Sequence, residues 1–291
     1  MVNFSIVFEA FVNGLLMGSL FGLIAIGFTL VFGVMRIINF AHGELVVIAM
    51  YLSYWLFNLW GIDPYVSLIF VIPLLGVLGY IIQRCSIEYI IDSPHSAQII
   101  LTFGLLLVFQ NALLFFFKSD LKGITGSYFS NTIQIGDARV LLTRVIAFFI
   151  AITIMFLLYI LLKKTDIGRA IRAASVEQEG AEAVGINFKK IYRISFALGT
   201  ICAGIAGATS ISFLYASPTV GFSFTVKSFI IVVLGGMGSF WGAMIGGIIL
   251  GLTESFGTLV TSGSMSQCVG FVLLIVILLF RPQGLFGSRT K

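Results

Sequence analysis

An all-α bundle of membrane-spanning helices is the fold class this sequence predicts, and three observations predict it. Of the 291 residues, 59% are hydrophobic and only 10% charged, with a mean hydropathy of +1.10. Soluble domains carry roughly 25% charged residues, so this chain cannot coat itself for water and lipid must do so. Uncharged runs recur along it, and a spanning helix needs about 20 apolar residues. Charges fall between the runs, because one at a helix centre costs about 2.5–3.5 kcal/mol on insertion scales.

The runs lie at 10–35, 45–62, 64–83, 96–117, 145–162, 194–226, 228–253 and 255–280. They make about eight membrane segments in one transmembrane domain covering 1–291, with no separate soluble domain. The first five read as single helices. The run 194–226 is too long for one span, and Pro218 with Gly221 ends its helix near Tyr215, followed by a loop. No Lys or Arg precedes Arg36, so the first run is expected to be a retained span, not a cleaved signal.

Loop charge sets the orientation. Segment 163–193 holds Lys163, Lys164, Arg169, Arg172, Lys189, Lys190 and Arg193, seven of the 17 basic residues. Basic loops stay in the cytoplasm. The N-terminus and the loop 118–142 are then outside, although that loop holds Lys118, Lys122 and Arg139. A cytoplasmic C-terminus, argued from Arg281, Arg289 and Lys291, requires an even number of crossings after Arg193, where three apolar segments are visible. Gly235, Gly236 and Gly238 interrupt the middle one. A re-entrant or broken segment near 228–253 restores the parity, since irregular backbone is tolerated at membrane depth when packed in protein; a plain kinked span leaves the tail outside.

Small residues recur at four-residue spacing: Gly14, Gly18 and Gly22; Gly199, Ala203 and Gly207; Gly242 and Gly246. Such stripes let helix backbones approach closely. In the basic loop, Ser175-Val176-Glu177-Gln178 makes a capping box with Ser175 as N-cap and Gln178 three residues on, and Glu177 and Glu179 suit the positive end of the helix dipole. Ala181, Ala183 and Val184 continue the turn, and Gly185 suits a left-handed stop with Ile186 as its contact. A delimited helix of about nine residues is expected there, either docking a cytoplasmic partner or lying along the bilayer.

His42 and Glu44 are titratable groups at the edge of a span, where such groups are commonly functional. The plainer reading puts both at the cytoplasmic end of the second helix, with Glu44 hydrated in its first turn. Glu254, far in sequence from any basic residue, needs a partner or water if it lies inside the membrane. The basic residues form no continuous patch, so nucleic-acid binding is not expected. Cys85, Cys202 and Cys268 lack the spacing of a disulfide framework or metal site. No Lys follows a Gly, which excludes a phosphate-binding Gly-Lys-Ser/Thr loop, and neither His-Glu-x-x-His nor Gly-x-Ser-x-Gly occurs. Neither an enzyme nor a cofactor is expected, and no metal site. No residue reads as a carboxylate clamp.

Three segments resemble the signatures of the branched-chain amino-acid permeases of ABC importers. They are Ile38-Asn39-Phe40-Ala41-His42-Gly43-Glu44-Leu45, preceded by Gly27, Gly33 and Arg36; Val233-Leu234-Gly235-Gly236-Met237-Gly238-Ser239 with Trp241-Gly242-Ala243; and Arg281-Pro282-Gln283-Gly284-Leu285-Phe286-Gly287. The resemblance is closest to the shorter of the two permeases in that system. Glu182-Ala183-Val184-Gly185 looks like a form of the Glu-Ala-Ala…Gly loop of importer permeases, with Val184 in place of the second Ala and without the downstream proline. The resemblance implies an inner-membrane subunit working with a second homologous permease, two cytoplasmic ATPase subunits and a periplasmic binding protein. It implies ATPase coupling through Ser175, Glu177, Gln178, Glu179, Glu182, Ala183 and Gly185. It implies a gate or path near Asn39, His42, Gly43, Glu44, Gly235, Gly236 and Gly238. A urea or short-amide importer permease is the alternative; an ion-coupled transporter would have only His42, Glu44 and Glu254 to run on.

Overall fold

A computed structural model describes residues 4–126, 129–136, 138–176, 185–260, 263–281 and 283–286. Among them are ten α-helices, seven of which are long and apolar enough to cross a membrane. Helix α1 (Phe4–Met35) is the axis, with most side chains from Gly14 to Met35 buried. Helices α7 (Phe188–Ser210), α8 (Gly221–Gly235) and α9 (Phe240–Val260) pack on it, and α2 (His42–Trp60) packs against α7 and α8. Helices α3 (Leu68–Cys85), α4 (His95–Phe117), α5 (Leu142–Lys164) and α10 (Gly263–Phe280) form the outer shell. Their exposed faces carry Ile69, Val77, Ile100, Val108, Phe149, Phe156 and Leu279, the dress of a lipid-facing surface.

The glycine stripes are the helix contacts. A methyl on Gly18 would collide with the Ile248 backbone, and one on Gly247 or Gly251 with the backbone of Gly22 or Gly18. Likewise Gly27 and Gly199 bring α1 against α7, and Gly207 lies on the Val46 carbonyl of α2. Backbone packing replaces the hydrophobic drive that lipid removes.

The segment near 228–253 is broken as expected. Helix α8 stops at Gly235, Gly236 (φ +101) and Gly238 (φ +84) make the turn, and α9 starts at Phe240. Parity is met by an extra helix, because the run 194–226 holds both α7, ending at Ser210, and the first turns of α8. Four helices therefore follow Arg193, and Arg281 returns to the side of the basic loop. Arg36, Arg84, Lys163, Lys164, Arg169, Arg172, Lys189, Lys190 and Arg193 share that side, here the basic face. On it the Glu88 carboxylate accepts two hydrogen bonds from Arg193, at 2.8 and 2.9 Å. The opposite face carries a feature the all-α reading lacked, a small hairpin of β1 (Thr132–Ile135) and β2 (Ala138–Leu141). β-Branched residues pair across it, Gly136 (φ +59) begins its turn, and it packs on the first turns of α1.

Candidate functional site

Polypeptide leaves α1 at Met35 on the basic face and at once turns back into the bundle. Arg36 takes φ +55, and residues 36–41 are non-helical. The His42 ring reaches the carbonyl of Ile24 at 3.0 Å. Ile24 stands eleven residues before the end of α1, which is about 16 Å of helix, or half the ~30 Å hydrocarbon thickness. Helix α2 thus begins deep in the bundle. The expectation of His42 and Glu44 at a hydrated boundary fails: both are buried, at 0% exposure. The cause is the dive of 36–41, which no hydropathy window registers.

Backbone groups exposed by that dive are satisfied by protein, as lipid requires. Asn39 Oδ1 accepts from the Ala41 amide at 3.1 Å, and the Asn39 carbonyl from the His42 amide at 3.2 Å. Thr102 of α4 donates to the Ile38 carbonyl at 3.0 Å. Thr225 of α8 donates to the Phe40 carbonyl at 2.9 Å and accepts from the Gly43 amide at 2.8 Å. The His42 ring meets Phe28 edge to face, at 5.5 Å between centroids.

Thr225 belongs to a second helix that starts at depth. Chain leaving α7 at Ser210 passes the opposite face, where Ala216 pairs with Lys122, then returns to open α8 at Gly221. Gly43 and Gly221 touch backbone to backbone, with no room for a methyl on Gly43. The Glu44 carboxylate lies against Gly221, and neither of its oxygens has a hydrogen-bond partner among the described residues. Two helix N-termini, each carrying about half a positive charge, therefore converge on one buried carboxylate. Broken helices meeting at mid-depth are how membrane transporters bring backbone dipoles to a transport path.

The glycines of the second signature sit apart from this junction. Gly238 packs on Gly33, near the basic-face end of α1, and Gly235 lies on Gly242. Leu285 and Phe286 of the third signature donate their amides to the carbonyls of Leu234 and Gly235, at 2.8 and 3.0 Å. The C-terminal motif therefore caps α8. A cleft of about 540 Å³ opens on the basic face between Gly33, Gly238, Trp241, Arg172 and Ser175. Ser175 is not the expected N-cap. Helix α6 (Asp166–Val176) runs through it, and its hydroxyl donates back to the Arg172 carbonyl at 2.8 Å. Gly185 takes the expected left-handed conformation (φ +83), and Ile186 packs against the core. Glu177, Gln178, Glu179, Glu182 and Ala183 lie outside the described residues.

Sequence reasoning brought Asn39, His42, Gly43 and Glu44 together but missed their partners Thr225 and Gly221, which no local pattern marks. Glu254 lies inside the bundle and has the partner it needs, Lys227 at 2.7 Å.

A re-entrant 36–41 segment, a helix started at depth by Gly221 and a glycine turn capped by the C-terminal motif together account for all three signatures. The family model described as "Branched-chain amino acid transport system / permease component" matches residues 10–278. The chain belongs to this family. It is 31% identical to the high-affinity branched-chain amino acid transport system permease protein BraD of Pseudomonas aeruginosa, over 96% of this chain and 95% of that one. It is 32% identical to LivH of Escherichia coli K12 over 94% of each chain. A probable LivH from Methanocaldococcus jannaschii is 27% identical over 96% of this chain and 92% of its own length. No solved structure matches.

Proposed function

We propose that this chain is the permease subunit of an ATP-driven importer that moves branched-chain or related hydrophobic amino acids across the cytoplasmic membrane. The observation that carries the reading is end-to-end similarity to permeases of that transport system, at 31–32% identity over 94–96% of the chain. In this reading ATP is hydrolysed in two partner subunits bound at the basic face, which is cytoplasmic. A second homologous permease completes the membrane unit, and a periplasmic binding protein presents the amino acid on the opposite face, where the N-terminus lies.

The geometry supports a route for the stroke. Residues 175–185 form the contact with the ATPase. Ser175 shares its cleft with Gly238, and Gly238 belongs to the turn at the foot of α8. That helix is 15 residues long, about 22 Å, and its other end carries Gly221 and Thr225 onto Gly43 and Glu44. A rigid push at the basic face is thereby delivered at mid-membrane.

The test is co-expression of the tagged chain with the ATPase subunits, second permease and binding protein of its proposed transport system. The expected outcome is a co-purifying complex whose ATPase activity rises with loaded binding protein and whose proteoliposomes accumulate labelled leucine. A complex that accumulates urea or short amides but no branched-chain amino acid would refute the substrate class.

A further inference from the structure

The face opposite the basic one holds a cleft of about 480 Å³ that the reading above leaves without a task. The first turns of α1, the start of α5 and the second half of α9 bound it. Three charged side chains line it, Glu9, Arg144 and Glu254. Glu254 is already engaged with Lys227, whose ammonium also sits 4.5 Å from the Phe21 ring centre. Arg144 and Glu9 are not. Among the described residues neither has an oppositely charged group within 4 Å.

A basic residue near the end of a span ordinarily turns its head group out to water. Arg144 does the reverse. Its guanidinium donates to Asn13 Oδ1 at 2.8 Å, lies over the Phe213 ring, and keeps a buried Nε–H without a partner among the described residues. Asn13 is one helical turn after Glu9 on the same face of α1, so the cation held at Asn13 and the Glu9 carboxylate border one space. Ile6, Met17, Phe21 and Leu259 supply the apolar part of the wall, and the hydroxyls of Ser255 and Thr258 beside them already donate to the carbonyls of Ala10 and Ser255. A concave apolar site with a few convergent polar groups is the usual form of a small-molecule pocket, and 300–1,000 Å³ its usual size.

We propose that this cleft binds a zwitterionic α-amino acid with an apolar side chain. Arg144 takes the carboxylate through its planar fork, Glu9 takes the ammonium, and the apolar wall takes the side chain. This supplies the carboxylate clamp that no sequence motif marks. The inference rests on the importer reading for why such a ligand reaches this face. It assigns the first resting place of the amino acid after its release by the binding protein. A phosphoethanolamine lipid headgroup presents the same pair of charges, so the experiment separates the two.

The full chain is placed in nanodiscs of phosphatidylcholine and phosphatidylglycerol, and equilibrium binding of labelled leucine is measured. The competitors are leucinamide, which lacks the carboxylate, and 4-methylpentanoate, which lacks the ammonium. Saturable leucine binding is expected, with each single-charge competitor at least tenfold weaker than unlabelled leucine. Arg144→Gln and Glu9→Gln are each expected to weaken binding at least tenfold at unchanged melting temperature, with Arg144→Lys retaining more than Arg144→Gln. Absent leucine binding, competition indifferent to either charge, or wild-type binding by both glutamine variants would overturn the assignment. So would Arg144-dependent stabilisation produced by phosphatidylethanolamine and not by leucine, which would make the cleft a lipid site. Leucine uptake by the complete importer is measured separately. An importer that transports leucine while its permease fails the binding test keeps its proposed function and loses this site.

Discussion

Replacing Gly43 with alanine adds one methyl at the point where α2 and α8 meet. That methyl would lie within 3 Å of the Gly221 carbonyl oxygen and of the amide and hydroxyl of Thr225, most of it unyielding backbone. Overpacking of a tight interior costs about 1–3 kcal/mol. Separating the helices also stretches the Gly43–Thr225 hydrogen bond, and such bonds between membrane helices average about 0.6 kcal/mol, with a maximum near 1.7. The expected loss is therefore about 2–4 kcal/mol. At about 2–4 °C per kcal/mol for a chain of this general size, the midpoint should fall by at least ~4 °C in a detergent-solubilised thermal unfolding assay. Gly104→Ala is the matched control, because no described residue lies within 4 Å of the added methyl; it should be neutral or slightly stabilising, as alanine for glycine in a helix usually is. A Gly43→Ala protein melting within a degree of wild type would mean that α2 and α8 do not meet as described. An equal loss in Gly104→Ala would mean that the assay reports something other than this junction.

In a cysteine-free background, Ser130→Cys should react with an impermeant thiol reagent in intact cells and Arg169→Cys only after permeabilisation; the reverse pattern would invert the proposed orientation. Gly185→Val forces a β-branched residue to φ +83, a cost of roughly 1–2 kcal/mol in the proposed coupling segment, while Glu182→Lys reverses a charge there. Both variants should reach the membrane at wild-type levels yet lose ATPase co-purification and uptake, and normal uptake by Glu182→Lys at matched levels would remove this loop from the coupling route. Lys227→Met strands the carboxylate of Glu254 and should destabilise the protein by about 1–3 kcal/mol in chemical denaturation, whereas Lys227→Met with Glu254→Leu should recover most of that loss, because replacing both partners of a buried pair by apolar groups is often neutral.

Whatever depends on composition and spacing was legible in the sequence. The spans follow from the cost of charge in lipid, and the stripes through Gly18 and Gly199 are contacts because only small side chains admit a second backbone. Gly185 reads correctly because its conformation is decided within a few residues. The failures are all matters of depth or distance. His42 and Glu44 were placed at a boundary because the drop in hydropathy at 36–44 looks the same whether the chain exits the bilayer or doubles back inside it. Ser175 read as a cap because a capping box is a local pattern, and the continuation of α6 through it answers to packing on α5. Thr225 is one threonine among apolar neighbours, and its role exists only because residues 182 positions away fold against it. Arg144 and Glu9 are separated by the whole of α2, α3 and α4, so no local pattern could pair them.

The brevity of α8 bears on how the protein is made. Fifteen residues including Lys227 are shorter than a bilayer-crossing helix and carry a charge, so this segment, presented alone to the insertion machinery, has little to hold it in lipid. What compensates it comes from elsewhere: the Phe21 ring from a helix already synthesised, and the Glu254 carboxylate from one not yet made. The carbonyls at its end wait longer still, for amides at Leu285 and Phe286 near the end of the chain. The order of synthesis thus leaves α8 without its full support until last. Its supports are complete only when nearly all of the polypeptide has emerged, and a chain cut short before residue 285 would lack the amides that cap α8.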